Sequence, residues 1–304
     1  MQTFDLPDTP FTRTDLDRLG LTPDRLRRAI DRGQVRRLLR GVYVDVRLPD
    51  SIGIRVLAMK TVVSPGHVAC DRTAAWLHGI DVLGGGVWTI PPIEVSALRG
   101  RPATERGDLH GRNRDLASRD IQEIGGVLVT TPLRTALDLG CVLRRRDALA
   151  ALDRFRHAFD LTEQQLVREL PRYFRRRGVI QLRELVPLAD PRAESVRESW
   201  TRLAITDAGL PAPVLQYEIK VDGVVLWRLD LAYPEARVAV EYDGEDFHHT
   251  DEQLEHDVRR RAWLARDGWR VVVVRRGDFT GAQLSRWISE LEGALRSPYT
   301  NLRW

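Results

Sequence analysis

The sequence predicts a multi-domain α/β chain with three regions, each separated from the next by its pattern. Residues 1–50 are rich in Arg and turns, residues 51–190 read as mostly helical, and residues 191–304 read helix, strand, strand, helix, strand, helix. At roughly 150 residues per domain, 304 residues suffice for two domains or three small ones. Gly84-Gly85-Gly86 and Gly125-Gly126 break the middle region, and Pro187 to Pro191 reads as a linker.

Composition narrows the class. Hydrophobic residues make up 43% and charged residues 30%, the balance of a chain that buries a core. The net charge of +4 permits a polyanionic partner without requiring one. Of the 47 basic residues only Lys60 and Lys220 are lysine, so a single Arg carries little weight. Cys70 and Cys141 form no CxxC pair, which argues against a disulfide framework or a cysteine zinc site and fits a reducing cytoplasm. The acidic, Pro-containing start MQTFDLPDTP lacks the apolar stretch of a signal peptide, and no apolar run approaches the ~18 residues of a membrane span.

The first region alternates helix, turn, helix and hairpin. Thr12 to Leu19 predicts a helix ending at Gly20, and Thr22-Pro23 starts a second, with Thr as cap and Pro at the first helical position. Leu26, Ala29 and Ile30 share one face of this second helix; Arg25, Arg28 and Arg32 share another. Gln34–Leu39 and Gly41–Val44 then form two strands around Arg40-Gly41. This is a winged-helix pattern suited to DNA: the second helix enters the major groove while Arg36, Arg37 and Arg40 on the wing meet phosphates. The bland alternative is a packing module with a solvated Arg face.

In the middle region, Asp71 to Gly79, Thr131 to Leu139 and Arg144 to Phe159 read as helices. His78 reads as a capping or packing histidine, because no second ligand sits at metal spacing. Arg175-Arg176-Arg177 before Gly178 complements a helix C-terminus. With the winged helix ending Arg40-Gly41-Val42-Tyr43, the segments Thr73-Ala74-Ala75-Trp76-Leu77-His78-Gly79 and Thr131-Pro132-Leu133-Arg134-Thr135-Ala136-Leu137-Asp138-Leu139 resemble the AbiEi-type antitoxin family over residues 10–160. That resemblance implies a DNA-binding, promoter-regulating ancestry and a possible toxin-like protein partner.

The C-terminal region carries the chemistry. Val224–Tyr233 and Arg237–Asp243 alternate around Pro234-Glu235-Ala236, a hairpin signal. Centring the loop between 235 and 236 sets Asp230 opposite Glu241, with Asp243 on the same face. Leu229, Leu231, Tyr233, Val238, Val240 and Tyr242 line the other face, and Ala232 and Ala239 leave room beside the acids. Carboxylates directly opposite each other repel, and a divalent cation such as Mg²⁺ or Mn²⁺ resolves the conflict, with Asp230, Glu241 and Asp243 as ligands. A helix over Ala193–Ala208 carries Glu194, Glu198 and Arg202 on one face, leaving Glu198 either to join the acids or to pair with Arg202. Thr250 caps a later helix bearing Asp257, Arg259, Arg260 and Arg261, its arginines solvated or facing phosphate, and Trp269–Val274 reads as a buried strand.

Ser195-Val196-Arg197-Glu198-Ser199 with Arg202, Arg228-Leu229-Asp230-Leu231-Ala232, Val240-Glu241-Tyr242-Asp243-Gly244 with His248, and Gly268-Trp269-Arg270-Val271 resemble, in order, the very-short-patch-repair (Vsr)-like endonucleases over residues 193–280. The resemblance implies a restriction-endonuclease-like α/β/α core of the PD-(D/E)XK type. It makes Asp230 the main metal ligand, Glu241 or Asp243 the second, Glu198 the helical acid and His248 the proton-handling group. Asp243 stands where the wider superfamily carries Lys. The expectation is a cytoplasmic, Mg²⁺- or Mn²⁺-dependent DNA endonuclease in repair or defence, with catalytic Asp230, Glu241, Asp243, His248 and Glu198. DNA would also be held by Arg25, Arg28, Arg32, Arg36, Arg37, Arg40, Arg259 and Arg260. The rivals are a non-enzymatic, antitoxin-like DNA-binding regulator with an inert C-terminal region, and a nuclease acting on RNA.

Overall fold

The computed structural model describes residues 6–64, 66–82, 93–98, 109–244 and 251–296, with only the backbone at 109–113, 251–254, 256 and 257. It is a mixed α/β chain of two compact units, one comprising 1–142 and 161–183, the other 143–160 and 184–304.

The first unit begins with β1 (Phe11–Thr12), α1 (Pro23–Asp31), β2 (Val35–Leu39) and β3 (Val42–Asp45), the strands forming a sheet in the order β1-β3-β2. The helix expected over Thr12–Leu19 is instead a single 3-10 turn, Arg13–Asp15, followed by turns to Gly20. Asp15 explains the shortening, since its carboxylate accepts from both the backbone N and the hydroxyl of Thr12 at 2.8 Å and closes the turn locally.

Next come α2 (Ile52–Val62), β4 (His67–Ala69), α3 (Asp71–Leu77), β5 (Ile93–Ala97), β6 (Leu109–Asn113), β7 (Ile121–Ile124), β8 (Val127–Thr130) and α4 (Pro132–Val142). After α5 (Arg145–Phe159), which belongs to the second unit, come α6 (Glu163–Glu169) and α7 (Val179–Leu185). The stretch expected to be mostly helical thus contains a five-stranded sheet, ordered β6-β5-β4-β8-β7. Its strands are three to five residues long, too short to impose a visible alternation. One core joins Leu39, Val42 and Val44 to Met59 of α2, Leu77 of α3, and Val95 and Val129 of the sheet. His78 ends α3 and is buried, its Nε2 2.8 Å from the Thr130 carbonyl, and burial lowers its proton affinity.

An ion network lies beside this core. Asp138 on α4 is fully buried and accepts from Arg114 at 2.6 Å, Arg134 at 2.9 Å, Arg176 at 2.5 Å and the Tyr173 hydroxyl at 2.7 Å. Asp71 takes Arg114, and Asp120 takes Arg134 and Arg172. Burial alone would push the Asp138 carboxyl up, but the Arg176, Arg134 and Arg114 guanidiniums outweigh it and hold the group below its ordinary range.

The second unit comprises α5, α8 (Val196–Asp207), β9 (Val214–Val221), β10 (Val224–Tyr233), β11 (Val238–Asp243), α9 (Asp251–Arg266), β12 (Arg270–Arg275) and α10 (Gly281–Arg296). The sheet order is β12-β11-β10-β9, with β11 and β12 parallel and the other pairs antiparallel. Strand β9 is absent from the sequence-based reading. The hairpin register is the expected one: Leu231 pairs with Val240, Ala232 with Ala239 and Tyr233 with Val238.

Both faces of this sheet are covered. Leu231, Val238, Val240, Val272 and Val274 pack under Ile205 of α8 and Trp287 and Leu291 of α10. Ala232 and Ala239 pack with Leu264 of α9 and Trp269 on the other face. The two alanines are therefore core under α9 rather than space left beside the acids. Leu229, expected with Leu231, joins them.

Candidate nucleic-acid interface and acidic cluster

The Thr22 hydroxyl accepts from the backbone N of Arg25 at 3.3 Å, and Pro23 opens α1, so the helix starts where its sequence dictates. Leu26 and Ala29 are buried, which turns Arg25, Arg28 and Arg32 to solvent. Arg40 is exposed at the hairpin turn, where Gly41 takes φ +81°. Neighbouring strand residues point to opposite faces, so Arg36 and Arg37 leave β2 on different sides. Arg37 is exposed; Arg36 is half-buried and donates from one terminal nitrogen to the Leu48 carbonyl at 3.0 Å. Arg13 and Arg27, not singled out in the sequence, line a groove of about 390 Å³ between α1 and Tyr43.

The second constellation gathers acids from three elements. Ser195 caps α8 by accepting from the backbone N of Glu198 at 3.1 Å, and Glu198 is buried. Its Oε2 accepts from the Glu194 backbone N at 3.0 Å and from Gln216 Nε2 at 2.8 Å. It is not paired with Arg202, which instead bonds the buried Asp153 of α5 at 2.6 Å. Asp230 comes from β10 and Glu241 from β11. Burial, reinforced by the Glu198 and Glu241 charges, raises the Asp230 carboxyl to about 7 against the pull of Arg260 and Arg228.

Arg260 was expected to face phosphate. It turns inward, donates through both terminal nitrogens to the two oxygens of Glu241, and reaches the Arg228 carbonyl at 3.2 Å. Asp243 ends β11, half-buried and 3.8 Å from Arg261. Arg259 is exposed, its Nε 3.3 Å from the Glu255 carbonyl. His248 and the cap Thr250 lie outside the described residues. Gln216, which holds Glu198, escaped the sequence reading; Arg260, read there as a phosphate contact, lies on α9, the helix that covers the acid face.

Carboxylate oxygens are the donors Mg²⁺ and Mn²⁺ prefer. Among the described residues, however, no group of three His, Cys, Asp or Glu side chains is placed to hold a metal ion, and Arg260 takes both oxygens of Glu241. The arrangement does not fit the expected ligand set of Asp230, Glu241 and Asp243. The Arg260 guanidinium offsets the Glu241 charge, and burial beside Glu198 and Glu241 raises the proton affinity of Asp230.

Two stretches of the chain match AbiEi antitoxin family models. Residues 9–44 match the family described as transcriptional regulator, AbiEi antitoxin, and residues 67–188 match the AbiEi antitoxin C-terminal domain. The uncharacterized proteins MT2308 and Rv2248, from two strains of Mycobacterium tuberculosis, are each 34% identical over 255 residues, covering 84% of this chain and 90% of their own length. The chain belongs to one family with them. No helix among the described residues is long and apolar enough to cross a membrane.

Proposed function

We propose that the chain is a DNA-binding transcriptional regulator of the AbiEi antitoxin type, contacting DNA through α1 and the tip of the β2–β3 hairpin and answering to a toxin-like protein partner. One observation carries this reading: Arg25, Arg28 and Arg32 stand exposed on a capped helix, and Arg40 is exposed at the hairpin turn, within the stretch that matches the regulator family. Contacts to phosphate release counterions, at about 0.9 units of log–log salt slope per contact. Replacing Arg25, Arg28 and Arg32 with Ala therefore flattens the salt dependence of binding to DNA from upstream of the coding region by roughly two to three units. An unchanged slope removes α1 from the interface.

A second reading, a phosphodiester-cleaving DNA endonuclease of the Vsr-like kind, is favoured by the convergence of Glu198, Asp230 and Glu241. Incubating the protein with supercoiled, linear, mismatched and single-stranded DNA, with and without Mg²⁺ or Mn²⁺, separates the two. Cleavage that disappears in Asp230→Asn makes the chain an enzyme. The absence of cleavage in every form leaves the regulator.

A further inference from the structure

The ion network of the first unit opens onto a cavity of about 750 Å³, within the roughly 300–1,000 Å³ of small-molecule sites. Arg114, Arg134, Arg172, Arg176 and Arg177 line it, against the single carboxylate of Asp115. Asp71, Asp120 and Asp138 lie behind the arginines, almost wholly buried. They fix the guanidiniums of Arg114, Arg134, Arg172 and Arg176 without using all their donors. Arg176 gives only Nη1 to Asp138, and Arg177 is exposed with no hydrogen-bond or ion-pair partner among the described residues.

The backbone is shaped to bring these groups in. Gly178 takes φ +85° and packs so closely on α4 that a Cβ there would run into the Cys141 carbonyl. Gln181 donates to the Gly140 carbonyl at 2.8 Å, tying the same segment to the end of α4. Arg175-Arg176-Arg177 therefore does more than complement a helix end: two of its members become a wall of the cavity.

A pocket whose charged donors are held in place by buried carboxylates loses little entropy on meeting an anion, and planar guanidiniums match phosphate oxygens two at a time. We infer that this cavity is a binding site for clustered phosphates, supplied either by a free nucleotide or by the phosphorylated end of a nucleic-acid strand. The site shares no residue with α1 or with the acidic cluster and, on the regulator reading, would make the protein responsive to a ligand.

The test is calorimetric titration and thermal melting of the full chain at low and moderate salt. The probes are inorganic triphosphate, ATP, and a short oligonucleotide with and without a 5′-phosphate. The inference expects triphosphate to bind, to raise the melting temperature and to weaken with salt. Arg177→Ala, which breaks no ion pair, should melt like the unliganded wild type yet bind about tenfold more weakly, and Arg177→Lys should recover most of the loss. Preference for ATP points to a free nucleotide; preference for the 5′-phosphorylated strand points to a nucleic-acid end. The α1 triple variant should keep the full response to triphosphate, so a failed DNA reading would not mimic failure here. No binding of any probe, equal binding by Arg177→Ala, or loss of the response in the α1 variant would each overturn the inference.

Discussion

Asp138 in the first unit is fully buried and Asp230 in the second is half-buried, and their surroundings drive the two carboxyls in opposite directions. Three guanidiniums meet Asp138 and keep it ionised in spite of burial. Asp230 feels two carboxylates, and the Arg260 guanidinium gives its charge-assisted hydrogen bonds to Glu241, so burial prevails and the carboxyl rises to about 7. Burial alone therefore does not decide the charge of a buried acid; the sign and number of its neighbours do. The first arrangement is a fixed ionic scaffold. The second is poised near neutrality, where a proton or a cation can tip it.

The largest expected effect comes from breaking the satisfied side of this comparison. Asp138→Asn keeps the shape but leaves Arg114, Arg134 and Arg176 with a neutral partner, and should cost about 3–5 kcal/mol in urea unfolding at pH 7. Because the Asp138 carboxyl is held below its ordinary range, its contribution is present above that range and disappears as pH falls through the lowered value. The gap between wild type and variant should close in acid. A gap independent of pH would show that packing, not charge, accounts for the loss.

A smaller effect is expected on the other side. Arg260→Ala removes the cation from the acidic cluster and leaves Glu241 facing Asp230. It should destabilise by roughly 1–3 kcal/mol at pH 8, and by less at pH 5, where the proton on Asp230 removes one of the opposing charges. An equal loss at both values would mean that Arg260 acts through its packing or its bond to the Arg228 carbonyl.

The two regions also differ in how much of them the sequence discloses. The β10–β11 register is legible because Leu231, Tyr233, Val238 and Val240 alternate around a three-residue loop, and a slip by one would turn all four out of the core. That register alone places Asp230 against Glu241. The scaffold around Asp138 is illegible for the opposite reason. Its members, Asp71, Arg114, Asp120, Arg134, Asp138, Arg172 and Arg176, meet through a sheet of very short strands that leaves no periodic trace. Arg134 and Asp138, four apart on α4, carry no mark in the sequence that both are buried. Strand β9 escapes because it is an edge strand with both faces partly wet. Residue type tells which groups can ionise; only the tertiary arrangement tells which of them lose their water.

The smallest expected effect is the one of unusual sign. Asp230→Asn replaces a carboxyl whose folded value, about 7, lies above its ordinary 3.8. Below pH 4 both folded and unfolded chains hold the proton, and the residue contributes nothing to the pH dependence of stability. Between about pH 4 and 7 the unfolded chain releases the proton while the folded chain retains it, so wild type loses stability as pH rises. Above 7 both are ionised and the penalty is constant. The amide carries no such penalty. The variant should match wild type at pH 4, draw ahead through pH 5 and 6, and level off above 7 at an advantage on the order of 1–2 kcal/mol. Asp153, raised to about 6 chiefly by burial, gives a slope of the same sign, but it is present in both proteins and cancels in the difference. Repeating the series with Mg²⁺ sharpens the comparison with Asp138. If the cation stabilises wild type above pH 7 and not Asp230→Asn, the acidic cluster takes a metal in the place of its proton. If it stabilises neither, the proton and Arg260 are all that the cluster holds. A variant less stable than wild type across the whole range would show that Asp230 is ionised and usefully paired, and the contrast with Asp138 would fail.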